Sequence, residues 1–399
     1  MATWVLAVLL FAGAARADVV VKVGAFVTLS GVSADVGAQM KAGMQVAVDR
    51  IAKDFKVGGE PAKIDVIWYD DEGRADVALN AVTRALTVDK VNVALGFLSS
   101  DVYARVMEEF QKAHVPVIAC CAAAMGIGDT IAAKKLNYVF QLSPTANDVA
   151  TSTIAAVATL VKPKTVAMLN ENTDAGRDFS RISREWLAKN APEITVASDD
   201  FVAHGVLDLT PQLAKYKRLG VGAIVGEVYG ASAVTYYQQY NELRVPAEIA
   251  HEGTSASADS FVEQNGKLME GTLVNVRWVP GNDTPITQPM VDAYKAIMHS
   301  SPSTFAVQAH DSMTVALEAV AQAGSLDPEK IDAAMENGSF VGAVAVRHFT
   351  PLDQGHRMPV NTIVAQVQDG KKAIVFPVEA GKRLGTAYRP VPPWAWQKD

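Results

Sequence analysis

Short apolar runs alternate with segments of helical spacing along residues 19–119. Residues 19–27 are a continuous β-branched run, the pattern of a strand buried on both faces of a parallel sheet. Residues 37–52 then place Met40, Met44, Ala47 and Ile51 on one stripe of a helix. The order continues as strand over 64–69, helix over 75–88, strand over 91–97, helix over 101–113 and strand over 115–119. It predicts βαβ units in a parallel sheet wrapped by helices.

The rhythm breaks at 137–144 and restarts. Residues 165–169, 194–196, 223–228 and 248–250 read as strands, with helices centred near Ile154, Ile182, Leu213 and Tyr236. A strand over 271–278 is followed by helical stretches around Tyr294 and Met313. A sheet signal returns at 340–349, and 360–378 reads as two strands joined at Asp369-Gly370. The Pro- and Trp-rich residues 389–396 are expected to be extended. No repeat at solenoid periods is present. The predicted fold class is α/β, with two doubly wound parallel-sheet lobes. Ligands on such sheets bind at the carboxyl ends of the strands.

Composition narrows the function. The chain has 399 residues, enough for two medium-sized cores, with 49% hydrophobic and 20% charged residues. A net charge of −7 argues against nucleic acid, which needs a basic surface. The apolar run over 5–15, followed by Ala15-Arg16-Ala17, predicts a secretory signal peptide over 1–17 cleaved near Ala17. Export to the periplasm is therefore expected. The two cysteines, Cys120 and Cys121, are adjacent and cannot staple distant segments. Two buried thiols and a vicinal disulfide both stay open.

Catalytic signatures are absent from the sequence. There is no G-x-S-x-G, H-E-x-x-H, C-x-x-C or P-loop string, and the seven histidines are scattered. Gly126-Ile127-Gly128 lacks the third glycine of a dinucleotide fingerprint and reads as a loop. No enzyme, cofactor or metal is expected. What remains is polar or small residues at strand ends. Ser99 and Ser100 close the third strand before a helix, where Ser100 can either cap that helix or help its free N–H groups hold a carboxylate. Cys121, Ala122 and Ala123 close the next strand, where small side chains permit either a ligand or close packing. Tyr229 closes a strand of the second half, and Glu252 follows another.

These strings, in this order, resemble the leucine/isoleucine/valine-binding family of periplasmic proteins that feed ABC importers. The resemblance runs through Val23-Gly24-Ala25-Phe26, Leu29-Ser30-Gly31, Lys41-Ala42-Gly43, Tyr69-Asp70-Asp71, Gly96-Phe97-Leu98-Ser99-Ser100 and Val115-Pro116-Val117-Ile118. It continues with Glu227-Val228-Tyr229-Gly230, His251-Glu252-Gly253 and Glu270-Gly271-Thr272-Leu273-Val274. It implies the type I periplasmic binding protein fold: two lobes joined by a three-crossing hinge, residues 18–142 with 276–351 and residues 143–275 with 352–399. A small-molecule ligand between the lobes and a membrane permease as partner are implied with it.

By the same resemblance Ser100 binds a ligand carboxylate with backbone groups near Cys121 and Ala123. Tyr229 lines the second lobe, Glu252 pairs with a ligand ammonium, and Phe305, with Trp278 nearby, lines the side-chain pocket. The chain departs from the family pattern: it lacks a disulfide that some relatives carry near Gly73 and Leu98, and three residues differ. Ala123 stands where a threonine is common, Ala175 where a tyrosine is common, and Val32 where a proline is common. The enlarged pocket implies an amino acid, large and apolar. Other readings are the same fold holding urea, a short amide or an aromatic carboxylate; a ligand-sensing regulator; and a hydrolase using Ser99 or Ser100 with His114 or His310.

Overall fold

The computed structural model describes residues 19–251, 255–256, 259–276, 284–344, 346–358 and 362–390. The β-branched run Val19–Val27 is strand β1, with parallel neighbours on both edges and Val21, Val23, Ala25, Phe26 and Val27 fully buried. The first unit continues with α1 (Ala34–Ile51), β2 (Lys56–Val57), β3 (Glu60–Asp70), α2 (Ala75–Arg84), β4 (Val93–Gly96), α3 (Ser100–Ala113), β5 (Val117–Ala119), α4 (Met125–Lys134) and β6 (Val139–Gln141). Its six-stranded sheet has the order β2-β3-β1-β4-β5-β6. One face packs Val21, Val23, Leu95 and Ile118 against α1, and the other packs Phe26, Ala94 and Val117 against α2 and α3. Burial on both faces is why β4 and β5 read as unbroken apolar runs, whereas the less buried β3 alternates over Lys63, Ile64, Asp65 and Val66.

The second unit holds α5 (Ala146–Ala156), β7 (Thr165–Glu171), α6 (Asp174–Asn190), β8 (Thr195–Val202), α7 (Thr210–Leu219), β9 (Ala223–Gly226), α8 (Ala231–Leu243), β10 (Glu248–His251), α9 (Asp259–Asn265) and β11 (Leu273–Val276). The chain then returns to the first sheet with α10 (Thr287–Met298), α11 (Thr304–Ala323), α12 (Pro328–Asn337) and the small hairpin β12 (Phe340–Val341) and β13 (Val346–Arg347). Helix α11 packs along α1, and its Phe305, Ala309 and Met313 belong to the first core. Finally β14 (Ile363–Gln368), β15 (Lys371–Phe376) and α13 (Val378–Leu384) rejoin the second sheet, whose order is β15-β14-β11-β10-β9-β7-β8. Strand β14 pairs antiparallel with both β11 and β15, and the other pairings in that sheet are parallel.

The chain thus passes between the sheets after β6, after β11 and after β13. Hydrogen bonds tie the passages together. Gln141 N–H donates to the His356 carbonyl at 3.0 Å and Met358 N–H to the Gln141 carbonyl at 2.9 Å, so the first and third run side by side. The Asn275 amide, at the head of the second, donates to Ser152 Oγ at 2.8 Å and Thr153 Oγ1 at 3.1 Å on α5. Thr362 of the third passage donates to the Asp148 carbonyl at 2.9 Å.

Several expectations need correction. Gly126-Ile127-Gly128 is not a loop but the first turns of α4. Gly128 is there for contact: a Cβ on it would lie 2.0 Å from Arg357 Nε of the third passage. Residues 137–144, read as a break, contain the edge strand β6, too short at three residues to show a period. The strand signal over 340–349 is two residues on each side of a hairpin, and β8 runs six residues beyond its expected end. Residues 1–17 and 391–396 lie outside the described residues.

Candidate functional site

The carboxyl ends of β1, β3, β4 and β5 face those of β7, β8 and β9 across a cleft of about 520 Å³. Thr28, Gly31, Val32, Ser33 and Val36 line it after β1, Glu72–Ala75 after β3, Leu98–Val102 after β4, and Cys121 with Ala123 after β5. The other wall is Asn172, Thr173 and Ala175 after β7, His204 after β8, and Glu227 with Tyr229 after β9. Phe305, at the start of α11, also reaches it. Where the walls meet at the rim, a Cβ on Gly205 would lie 3.2 Å from a Val32 methyl.

The turn after β4 is shaped by its backbone. Gly96 has φ of 125° and Phe97 of 63°, two consecutive residues in the left-handed region. Phe97 accepts this strain because its ring is fully buried and stacked at 4.8 Å on Phe26. The turn aims Leu98, Ser99 and Ser100 into the cleft. The neighbouring loop after β1 is braced by the acidic pair ending β3. Asp70 accepts the Leu29 N–H at 2.8 Å and the Ser30 hydroxyl, and Asp71 accepts the Thr28 hydroxyl at 2.6 Å and the Gly73 N–H at 2.9 Å.

Ser99, rather than Ser100, is the N-cap of α3, accepting the Val102 N–H at 3.4 Å. Ser100, the first helical residue, is buried, and its Oγ accepts the N–H groups of Ala123 at 3.0 Å and Ala124 at 3.1 Å. The hydroxyl thereby spends its acceptor capacity on the turn after β5 and keeps its own O–H to offer a ligand. Cys121 and Ala123 line the cleft, but Ala122 does not. It is fully buried in the core behind the sheet, because side chains alternate across an extended segment. Both cysteines are buried and in no disulfide. Tyr229 and Phe305 line the cleft. Glu252 and Trp278 lie outside the described residues.

The second wall contains groups the sequence did not single out. Thr173 caps α6, accepting the Gly176 N–H at 3.1 Å, so a second helix N-terminus opens on the cleft opposite α3. A Thr beginning a helix directly after a strand was the signal for it. The Glu171 side chain is fully buried, and its Oε2 lies 2.5 Å from His204 Nδ1. This hydrogen bond raises the imidazole pKa against the lowering effect of burial. Nothing local in the sequence joins these two residues. Asp101 at the head of α3 and Asp174 at the head of α6 interact across the cleft. Desolvation first and Asp174 second push the Asp101 carboxyl up, while the hydrogen bond from Asp101 lowers Asp174. The Met125 N–H at the start of α4 donates to Asp178 Oδ2 of α6 at 3.0 Å, another bond between the walls.

The arrangement suits binding rather than turnover. Ser100 opens α3 and His114 follows its last residue, about 20 Å away at the helical rise. His310 is fully buried, with Nδ1 on Asp311 at 2.9 Å. Neither histidine lines the cleft among the described residues. No described helix is long and apolar enough to cross a membrane.

Known proteins place this architecture. The "Leu/Ile/Val-binding protein homolog 7" of Brucella abortus (strain 2308) is 25% identical over 382 residues, covering 92% of this chain and 94% of its own. The leucine-, isoleucine-, valine-, threonine- and alanine-binding protein of Pseudomonas aeruginosa is 23% identical, covering 83% and 86%. The Streptococcus pneumoniae branched-chain amino acid transporter substrate-binding protein, solved with isoleucine, superposes with a TM-score of 0.79 at 22% identity, covering 89% of this chain and 99% of its own. A solute-binding protein of an R. palustris ABC transporter, solved with benzoate, gives 0.78 at 19% identity, covering 89% and 95%. The family model described as "periplasmic binding protein" matches residues 20–372, and the chain belongs to that family of transporter substrate-binding proteins, which are not enzymes.

Proposed function

We propose that the chain captures a carboxylic acid between lobes 18–142 with 276–351 and 143–275 with 352–399, and delivers it to the permease of an ABC importer. The observation that carries this reading is the floor at Ser99 and Ser100. A helix N-terminus and a hydroxyl with a free proton lie beside Val36, Leu98, Val102, Ala123 and Phe305, a seat for a carboxylate on an apolar body. An amino acid with a large apolar side chain fits it, with Ala123 and Ala175 leaving room, Tyr229 on the opposite wall and Glu252 proposed as the ammonium partner. The relatives named for leucine, isoleucine and valine support this reading. Residues 1–17 serve as its export signal, and the mature protein works in the periplasm.

A second reading, an amine-free aromatic acid, is favoured by His204 on the far wall, whose pKa the hydrogen bond to Glu171 raises, and supported by the neighbour seen with benzoate. A thermal-shift screen of the mature chain, refolded to remove carried-over ligand, decides between them. Ligand at about a hundred times its Kd adds about 2.7 kcal/mol, a shift of several degrees. Shifts with apolar amino acids alone support the first reading, and shifts with benzoate-type acids alone the second. If neither class shifts the midpoint, the carboxylate seat is wrong.

A further inference from the structure

We infer that His204 reads a second oxygen on the ligand, so that the acid taken by this cleft carries a further carboxylate or hydroxyl facing lobe two. The inference rests on the acid-binding reading above and narrows its ligand class.

Glu171 explains the geometry. A fully buried carboxylate is costly unless paired, and it has two partners: His204 Nδ1 at 2.5 Å on Oε2 and the Tyr229 N–H at 3.4 Å on Oε1. A carboxylate only accepts, so Nδ1 must carry a proton, and the tautomer is fixed. If neutralising Glu171 were the whole role of His204, a buried ring would serve. Instead the side chain is 39% exposed, its ring leans on Tyr229 at a centroid distance of 5.1 Å, and it forms part of the cleft wall. Among the described residues Nε2 has no hydrogen-bond partner. The hydrogen bond to Glu171 favours the imidazolium, in which Nε2 is also a donor.

The charges around it leave this donor available. Glu171 and Tyr229 touch the ring, and Glu227 lies on the same wall. Across the cleft are Glu72 and Arg74. The Arg74 guanidinium is already engaged by Asp76 at 2.7 and 3.2 Å and by Glu72 at 3.6 Å. The cleft therefore offers an oxygen-seeking N–H opposite the carboxylate seat at Ser100. When the imidazole loses its proton, Nε2 becomes an acceptor and repels a carboxylate while still taking a hydroxyl proton.

Calorimetry on refolded, ligand-free protein tests this with matched acids: benzoate against terephthalate, and hexanoate against adipate and 6-hydroxyhexanoate. At about pH 6 the two-ended acids should bind about ten-fold tighter than their partners, as a charge-assisted hydrogen bond would give. Toward about pH 9 the dicarboxylate advantage should vanish and the hydroxy acid keep its own. His204→Phe should abolish the advantage at both values. His204→Gln should keep a smaller advantage that no longer depends on pH. Glu171→Gln should move the loss of advantage to lower pH, since the imidazolium loses its partner. Circular dichroism checks that each variant folds. Equal affinity within each pair for the natural protein, or an undiminished pH-dependent gap in His204→Phe, overturns the inference and leaves the acid-binding reading intact. Silence toward every one of these amine-free acids overturns the inference and the second reading, and leaves the amino-acid reading to the thermal-shift screen.

Discussion

Ser100→Ala should destabilise the protein far more than Ser99→Ala, although the two serines are neighbours at one helix end. Ser100 Oγ accepts two backbone N–H groups, from Ala123 at 3.0 Å and Ala124 at 3.1 Å, and Ala124 is buried. Removing the oxygen strands both donors. A buried unpaired N–H costs about 1–3 kcal/mol, and the half-buried Ala123 lies at the low end, so about 2–4 kcal/mol is expected. Ser99 makes one bond of 3.4 Å to Val102 N–H at a partly exposed cap, worth about 1 kcal/mol or less. Melting of a lobe of roughly 200 residues shifts by about 2–4 °C per kcal/mol. The midpoint should therefore fall by about 4–16 °C for Ser100→Ala and by no more than about 4 °C for Ser99→Ala. Thermal unfolding of refolded, ligand-free protein by circular dichroism reads this directly. Equal shifts, or a larger one at Ser99, would refute the assignment of Ser100 as the tie between α3 and the turn after β5.

Gly96→Ala should abolish stable folding or cost more than about 3 kcal/mol, because its Cβ would lie 2.0 Å from the Phe26 carbonyl oxygen and φ is 125°; a urea midpoint near that of the natural protein would contradict the geometry. Asp178→Ala removes the bond from α6 to the Met125 N–H. If that bond forms only when the walls approach, ligand affinity should fall about five-fold, and an unchanged Kd would mean that it persists in the open form. Asp332 on α12 is pushed up to about 7, by burial first and by Glu336 second. Its neutral form is stabilised in the fold, so this contribution is present at about pH 4 and lost as pH rises through about 7. Asp332→Asn should therefore gain urea stability at about pH 8 relative to the natural protein and gain none at about pH 4; equal differences at both values would exclude the effect.

The first lobe was the more legible. Strand β1 and the helices α1 and α3 announce themselves because each is long and presents one consistent environment, fully buried or one-sided. Elements of two or three residues, such as β6 and the β12–β13 hairpin, are too short for any period to show, and pairing with neighbours holds them. Helix α4 was hidden by its glycines. The reason for Gly128 is the Arg357 side chain, which arrives from a segment more than two hundred residues away.

At the site the same division holds. Residues that end strands and start helices, such as Ser99, Ser100 and Tyr229, are local signals, so the sequence alone located the first wall and part of the second. It also determined the α/β class and, through the ordered strings from Val23 to Val274, the family. The serine that caps and the serine that ties, the alanine that faces the core at 122, and the meeting of Glu171 with His204 were decided by tertiary structure. A hydrogen bond across 33 residues costs no more in enthalpy than one across three, but only the packed sheet brings its ends together. Burial then sets the charge: Glu171, fully enclosed at the end of β7, requires a partner, and the turn after β8 supplies it from the cleft wall.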